Sequence, residues 1–483
     1  MASKPRLDLT VGKIGPTLLK FAVPTLFSSV LQSMQGSINT VWVGRFLGEE
    51  ALAATSNANM IMFLSMSFVF GFGMAATILI GQAFGAKNID QVRRVLGTVL
   101  GGFIVFSIPI AVLGWFFAPD ILHMMGLPKA AMASALAYLR VIFLAIPPGM
   151  VMALMMMTLR GVGDAITPLW FMGVALVIDC GLNPLLITGY GPFPEMGIAG
   201  SAMSSVIANF VCVVGMFVTV YVRDLPIRLR GSELAYLKPD GALVRTILKM
   251  GLPMGVQMIV MSVATLAVLG LVNREGVDTT AAYGVTMQLW TYIQMPAMAF
   301  SAAVSAMAAQ NIGAGRWDRI GEITTKGILY NTAITGILVV VLAFASRPAL
   351  ALFIGDHSPA LPIAEHIQIL VTWSFLMSGV TFVLTGTVRA NGAVYAPLIF
   401  LIISMIPVRI GSALLGYPWL GADALWLSAP MSSLASLVMA ALYYRYGNWR
   451  KPKGLVRPRP GPDEAIEEAS AMMEPEGRMS PTG

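Results

Sequence analysis

Charge is scarce in this chain of 483 residues: 11% are Asp, Glu, Lys or Arg, while 57% are hydrophobic. A water-soluble domain must cover its outside with polar groups, so this balance excludes an ordinary globular protein. Cysteine occurs only as Cys180 and Cys212, both in apolar stretches; that excludes a disulfide framework and leaves two reduced packing residues. The three histidines, His123, His357 and His366, fall in or beside loops expected on the outer face and lack metal-ligand spacing. No Gly-x-Ser-x-Gly elbow or zinc motif is present, so an enzyme is not expected. A phosphate loop for ATP needs Gly-x-x-x-x-Gly-Lys-Ser/Thr, and Gly85-Ala-Lys-Asn only superficially resembles its end. Nothing resembles the repeated selectivity filter of a channel.

What the chain does have is a series of long uncharged runs. Residues 21–44, 51–86, 95–119, 141–159 and 196–222 carry no charge, and 165–194 carries only Asp179. The second half repeats the pattern at 250–273, 279–315, 327–346, 367–388, 390–408 and 424–444. Crossing about 30 Å of hydrocarbon takes roughly 20 apolar residues with backbone hydrogen bonds closed inside a helix. Spans are therefore expected near 20–44, 52–80, 93–117, 134–158, 168–190, 197–221, 247–272, 280–309, 327–346, 364–388, 394–416 and 420–444.

Orientation follows from the basic residues. With the N-terminus inside, 25 of the 31 Lys and Arg lie in cytoplasmic segments, and the outer loops keep Arg45, Lys129, Arg274 and Arg347. Residues 1–15 show no cleavable signal pattern. The expectation is a multi-pass protein of the bacterial plasma (inner) membrane, both termini cytoplasmic. The net charge of +7 then reflects topology and needs no nucleic-acid partner. The bilayer and a small molecule are the expected partners, of a monomer.

An internal repeat organises these spans. Leu18-Leu-Lys-Phe-Ala-Val-Pro24 recurs as Ile247-Leu-Lys-Met-Gly-Leu-Pro253. Gln82-Ala-Phe-Gly85 recurs as Gln310-Asn-Ile-Gly313, and Leu159-Arg-Gly-Val-Gly163 as Val388-Arg-Ala-Asn-Gly392. All three pairs keep an offset of 228 or 229 residues. The fold class expected is an all-α membrane protein of about twelve transmembrane helices. Two homologous six-helix lobes, each with an even number of spans, are related by a pseudo-twofold axis along the membrane normal. The lobes are residues 1–222 and 247–445, joined by a charged cytoplasmic linker, 223–246, and followed by a tail, 446–483, expected to be disordered. The Gln–Gly motifs read as loop chemistry: Gly85 ends the second span, and Asp90 caps the helix of the third.

Several side chains are out of place in hydrocarbon. Asp179 is the one acid clearly inside a span; an ionised carboxylate there costs about 2.5 kcal/mol or more on insertion scales. Asn183, four residues on, shares its helix face. Gln32, Gln35 and Asn39 form a polar stripe on the first span, whose repeat mates near Val260, Val263 and Ala267 are apolar; Gln32 and Gln35 are candidate substrate contacts. Arg409, inside the eleventh span, either attracts an anionic substrate group or anchors its lobe through backbone carbonyls. Arg140 is expected to snorkel to the outer interface. Met150, Met152, Met155, Met156 and Met157 read as core filling, and most tryptophans as interface anchors. Trp290, with Gln288, Tyr292 and Gln294 nearby, is the candidate substrate contact.

These motifs, with Asn183-Pro-Leu-Leu-Ile and Gly197-Ile-Ala-Gly200-Ser-Ala, resemble the multidrug and toxic compound extrusion (MATE) family over about residues 15–445. The resemblance implies a V-shaped twelve-helix fold and export of amphipathic or cationic organic compounds, in antiport with Na⁺ or H⁺ and without another cofactor. By family position Asn39 and Ser205 join Asp179 and Asn183 in a cation or proton site. The sequence departs from the family in having Asn39 where many members have an acid in the first span. The Asn and Asp of the fifth span stand in inverted order, and Met261 and Ser378 occupy acidic positions of some relatives. A flippase for a lipid-linked or other dedicated substrate is the rival expectation. A polysaccharide carrier would need a large cationic cavity, and here the spans hold few basic residues, chiefly Arg409.

Overall fold

The computed structural model describes residues 8–124, 129–355 and 357–451, with the side chains of 48–62, 64–65 and 129–131 outside the description. Every regular element among them is helical. In chain order they are α1 (Ile14–Gly85), α2 (Ile89–Met124), α3 (Lys129–Gly161), α4 (Ile166–Thr188) and α5 (Ile198–Val222), then α6 (Gly241–Val272), α7 (Val277–Gly313) and α8 (Ile320–Phe344). The second half continues with α9 (Ser346–Ile354), α10 (Ala360–Val371), α11 (Ser374–Ala390), α12 (Tyr395–Ile403), α13 (Gly411–Leu420) and α14 (Asp423–Tyr446). A π-helical turn, Ser404–Ile410, joins α12 to α13.

Eleven of the described helical segments are long and apolar enough to cross a membrane, or twelve if α10 and α11, bent by 47°, form one span. The first two expected spans belong to the single element α1, as Ile14–Leu47 and Met66–Gly85. Large apolar side chains such as Phe116, Val177, Phe344 and Leu415 stand exposed on the outside, where lipid rather than water covers them.

The repeat is visible in backbone geometry. Gly163 and Gly392, equivalent in the two halves, both take positive φ, 89° and 72°, just after α3 and α11. A side chain there would strain the left-handed turn. Asp164 then caps α4, accepting from the Thr167 amide at 2.9 Å.

Packing divides into three apolar clusters. One is built mainly from α1–α5 and one lies within the second half, around Tyr283, Trp290, Ile367 and Trp426. The third joins Ile14, Leu18 and Phe21 of α1 to Phe300–Ala309 of α7 and Val388 of α11, so the halves are sealed together by apolar contact. The methionines of α3 are core residues: Met150, Met152, Met155 and Met156 are buried. Cys180 and Cys212 are free. Arg140 lies over the Trp115 ring at 5.6 Å.

Two expectations change here. Asp90 does not cap α2; Asn88 does, accepting the Gln91 amide at 3.0 Å. Asp90 instead accepts from the Tyr236 hydroxyl at 2.6 Å and pairs with Arg94 at 2.7 Å, docking the segment 223–240 against α2. The expected disordered tail begins in order: Trp449 is buried, and Asn391 donates to its carbonyl at 2.5 Å and to that of Lys451 at 2.9 Å. An indole placed one turn past α14 has apolar surface to bury, which offsets the ordering entropy. Residues 452–483 lie outside the described residues.

Candidate ion-coupling site

Asp179 is buried at 3% exposure on α4, and every polar contact to it is a donor. Gln35 of α1 donates from Nε2 at 3.1 Å; on α5, Ser204 donates to Oδ1, and Ser205 reaches the two oxygens at 3.2 and 3.3 Å. No Lys, Arg or His pairs with this carboxyl group among the described residues. One turn along, the Asn39 carbonyl oxygen accepts from Asn183 Nδ2 at 2.8 Å and from the Ser201 hydroxyl. Tyr138 of α3 is close to Asn39. The carbonyl oxygen of Asn183, a residue with no exposed surface, is buried and unpartnered. Four elements thus meet in a nest of one carboxyl group, neutral donors and one spare oxygen acceptor. A proton fits such a site, as does a small hard cation that prefers oxygen ligands.

The structure brings together Asp179, Asn183, Asn39 and Ser205 as expected from sequence, and adds Ser201, Ser204 and Tyr138. Ser201, Ser204 and Ser205 stand at i, i+3 and i+4, a polar face on an otherwise apolar helix that sequence periodicity alone would reveal. Gln35, expected as a substrate contact, belongs to this nest, whereas Gln32 is exposed on the same helix.

The group around Trp290 does not assemble. Residues two apart on a helix point about 200° apart, so Gln288 and Tyr292 lie on an exposed side of α7 and Trp290 on the buried one, with half-buried Gln294 near its side. The Trp290 indole N–H donates to Gln368 at 3.2 Å and to Thr372 at 3.4 Å, and its ring packs against Tyr283 and Phe375. Trp426 stacks on Tyr283 at 5.6 Å, so these two tryptophans are core, not interface anchors. Arg409 lies in the π turn, its guanidinium near Tyr283 and 3.7 Å from the Met405 sulfur. Ser378, at a family acidic position, is 3.0 Å from Ser433.

The Gln–Gly motifs do more than turn a loop. Gln82 Nε2 of α1 donates to the Ala390 carbonyl at the end of α11, at 2.7 Å, and Gln310 Nε2 of α7 donates to the Gly161 carbonyl at the end of α3, at 2.8 Å. Donors and acceptors are both repeat mates, so one cross-half bond is made twice, reciprocally. Gly85 lies against the Gln310 backbone and Gly313 against that of Gln82, at distances that admit no Cβ. The N-terminal segment closes the same face: Asn311 Nδ2 donates to the Leu9 carbonyl at 3.0 Å and Arg319 to that of Gly12 at 3.0 Å.

Two halves of membrane-spanning helices, a sealed seam at one face and a buried polar nest around one carboxyl group within one half are the features of a membrane transporter. The sequence profile described as MatE matches twice, over residues 24–185 and 253–415, and the chain belongs to this family of multidrug efflux transporters. It is 36% identical to the probable multidrug resistance protein YoeA of Bacillus subtilis, covering 89% of this chain and 93% of that one. It is 24% identical to a FAD transporter of Shewanella oneidensis, covering 91% and 96%. Among solved structures, a MATE transporter in the bent conformation superposes with a TM-score of 0.83 at 18% identity, covering 97% of this chain and all of that one. An outward-facing multidrug resistance MATE transporter does so with 0.83 at 17%, covering 92% and 98%.

Proposed function

We propose that the protein is an antiporter that exports small amphipathic or cationic organic compounds by alternating access, driven by H⁺ or Na⁺ bound at Asp179. The observation that supports this reading is the isolated, buried carboxyl group of Asp179, held by Gln35, Ser204 and Ser205 without a basic partner. Asn39, Asn183, Ser201 and Ser205 supply the remaining oxygens when a cation enters; when a proton enters, it binds the Asp179 carboxylate, and Ser204 or Ser205 reorients to accept a hydrogen bond from the resulting acid. Gln32, Gln288, Tyr292, Gln294 and Arg409 remain the candidate substrate contacts, whereas Trp290 is a core residue. The family match and the relative named as a multidrug resistance protein support the substrate class. The excess of Lys and Arg in alternate loops supports the bacterial plasma membrane with both termini in the cytoplasm. The sealed face is then the cytoplasmic one.

The test is dye efflux from a pump-deficient bacterial strain, comparing wild type with Asp179→Asn at matched membrane levels. Export by wild type and none by the variant is expected, and separate variation of Na⁺ and pH then names the ion. Equal export by both would refute the role of Asp179. The similarity to a FAD transporter favours a second reading, a dedicated rather than promiscuous substrate, which loss of dye export with retained flavin-nucleotide export would identify.

A further inference from the structure

The π turn changes the repeat register. The helices that start at Ile166 and Tyr395 run 229 residues apart, which pairs Asp179 with Val408. An α-helix advances about 100° per residue, whereas a π turn inserts one residue and so holds the following side chains back by about that much. Arg409 lies within that turn, one residue beyond the position paired with Asp179, so the turn rotates it toward the helix face that Asp179 takes in the first half. The two equivalent helices thus carry opposite charges one residue apart in the pairing.

Their surroundings are inverted too. The Asp179 nest holds a spare acceptor, Asn183 Oδ1. The Arg409 cluster holds spare donors. Arg409 Nε is buried and unpartnered, and so is Nε2 of Gln368, a residue 4% exposed. Gln368 belongs to the same aromatic group through Trp290, which meets Tyr283, the residue that Arg409 lies near. Arg409 forms no ion pair among the described residues. A guanidinium with a free N–H and no carboxylate partner, at the edge of an aromatic group that holds a second free N–H, is suited to receive an oxyanion.

We propose that the second half holds a binding site for the anionic group of the transported compound, a carboxylate, sulfonate or phosphate, received by Arg409 near Tyr283, with Gln368 a further donor of the same aromatic group. This deepens the reading of the protein as an exporter, on which it rests: the compounds it favours are organic anions and zwitterions, and the Asp179 site serves the driving ion rather than the substrate's charge.

The experiment reconstitutes the full chain in proteoliposomes and measures transport of fluorescein, an aromatic carboxylate, and of ethidium, a cation. The variants are Arg409→Gln, Arg409→Lys, Gln368→Glu and Asp179→Asn. Binding of both dyes in nanodiscs is followed by tryptophan quenching. The expected result is that Arg409→Gln lowers kcat/KM for fluorescein at least tenfold relative to ethidium, mainly through KM, and that Arg409→Lys recovers part of the loss. Gln368→Glu keeps the oxygen that accepts from Trp290 and Thr372 but replaces the free donor, so fluorescein binding weakens even if Arg409→Gln fails to fold. A fluorescein-to-ethidium ratio unchanged in transport and in binding by Arg409→Gln and Gln368→Glu overturns the proposal. So does wild-type protein that neither binds nor moves fluorescein. Asp179→Asn separates the two readings: transport that survives it defeats the coupling role while the dye ratio still judges Arg409.

Discussion

Replacing Gln82 by Met keeps the side chain's length and apolar bulk and removes its donor. The Ala390 carbonyl it served at 2.7 Å is then left in an interface where Gln82 itself is 4% exposed. A buried hydrogen bond contributes about 1 kcal/mol net, and a buried carbonyl left unpaired costs about 1–3 kcal/mol. When the halves part at this face, water reaches the carbonyl, so the penalty falls on the closed state alone. A shift of roughly 1–2 kcal/mol displaces the closed–open equilibrium about 5- to 30-fold. Gln310→Met should act equally through the Gly161 carbonyl, and the double variant should approach the product of the two. Spin labels at Lys87→Cys and Ala314→Cys, both exposed on this face, report the separation by pulsed dipolar spectroscopy. Broadening toward longer distances in each single variant, and further in the double, is the expected outcome. A distance distribution untouched by both substitutions would refute the claim that these two bonds hold the seam.

Gly85→Ala puts a methyl group into the Gln310 backbone, so it should open the same face without removing a hydrogen bond and lower the melting temperature in a thermal-shift assay. Trp290→Phe removes the indole N–H that Gln368 and Thr372 share, and should cost about 1–3 kcal/mol of stability, read as an earlier midpoint in denaturant. Dye efflux and dye selectivity test Asp179 and Arg409 as set out above. The arginine variant should change which compound is carried, and the aspartate variant whether any is carried.

Much of the architecture was legible in the sequence because hydrocarbon imposes a rule on every span: about twenty apolar residues with closed backbone bonds. The duplicated Pro24/Pro253, Gln82/Gln310 and Gly163/Gly392 revealed the two halves. Asp179 announced itself, since a charge in that setting is conspicuous against its neighbours. Neither burial partners nor register carries such a signal. The spacing of Ser201, Ser204 and Ser205 marks a polar face of α5, but only packing against α1 and α4 brings Ser201 to Asn39 and Ser204 to Asp179. Trp290 with Gln288 and Tyr292 looked like one group in sequence, and the helical turn set them on opposite sides. Gln82 and Gln310 read as loop punctuation, because a motif shows its own helix end and not the carbonyl it meets 308 or 149 residues away. The sequence by itself determined the membrane, the duplication and the isolated carboxyl group of Asp179, since each depends on composition along the chain. Tertiary structure alone decided which residues surround Asp179, that the halves lock by exchanging one bond twice, and that Arg409 lies in a π turn near Tyr283, because each of these depends on which helix faces lie opposite one another.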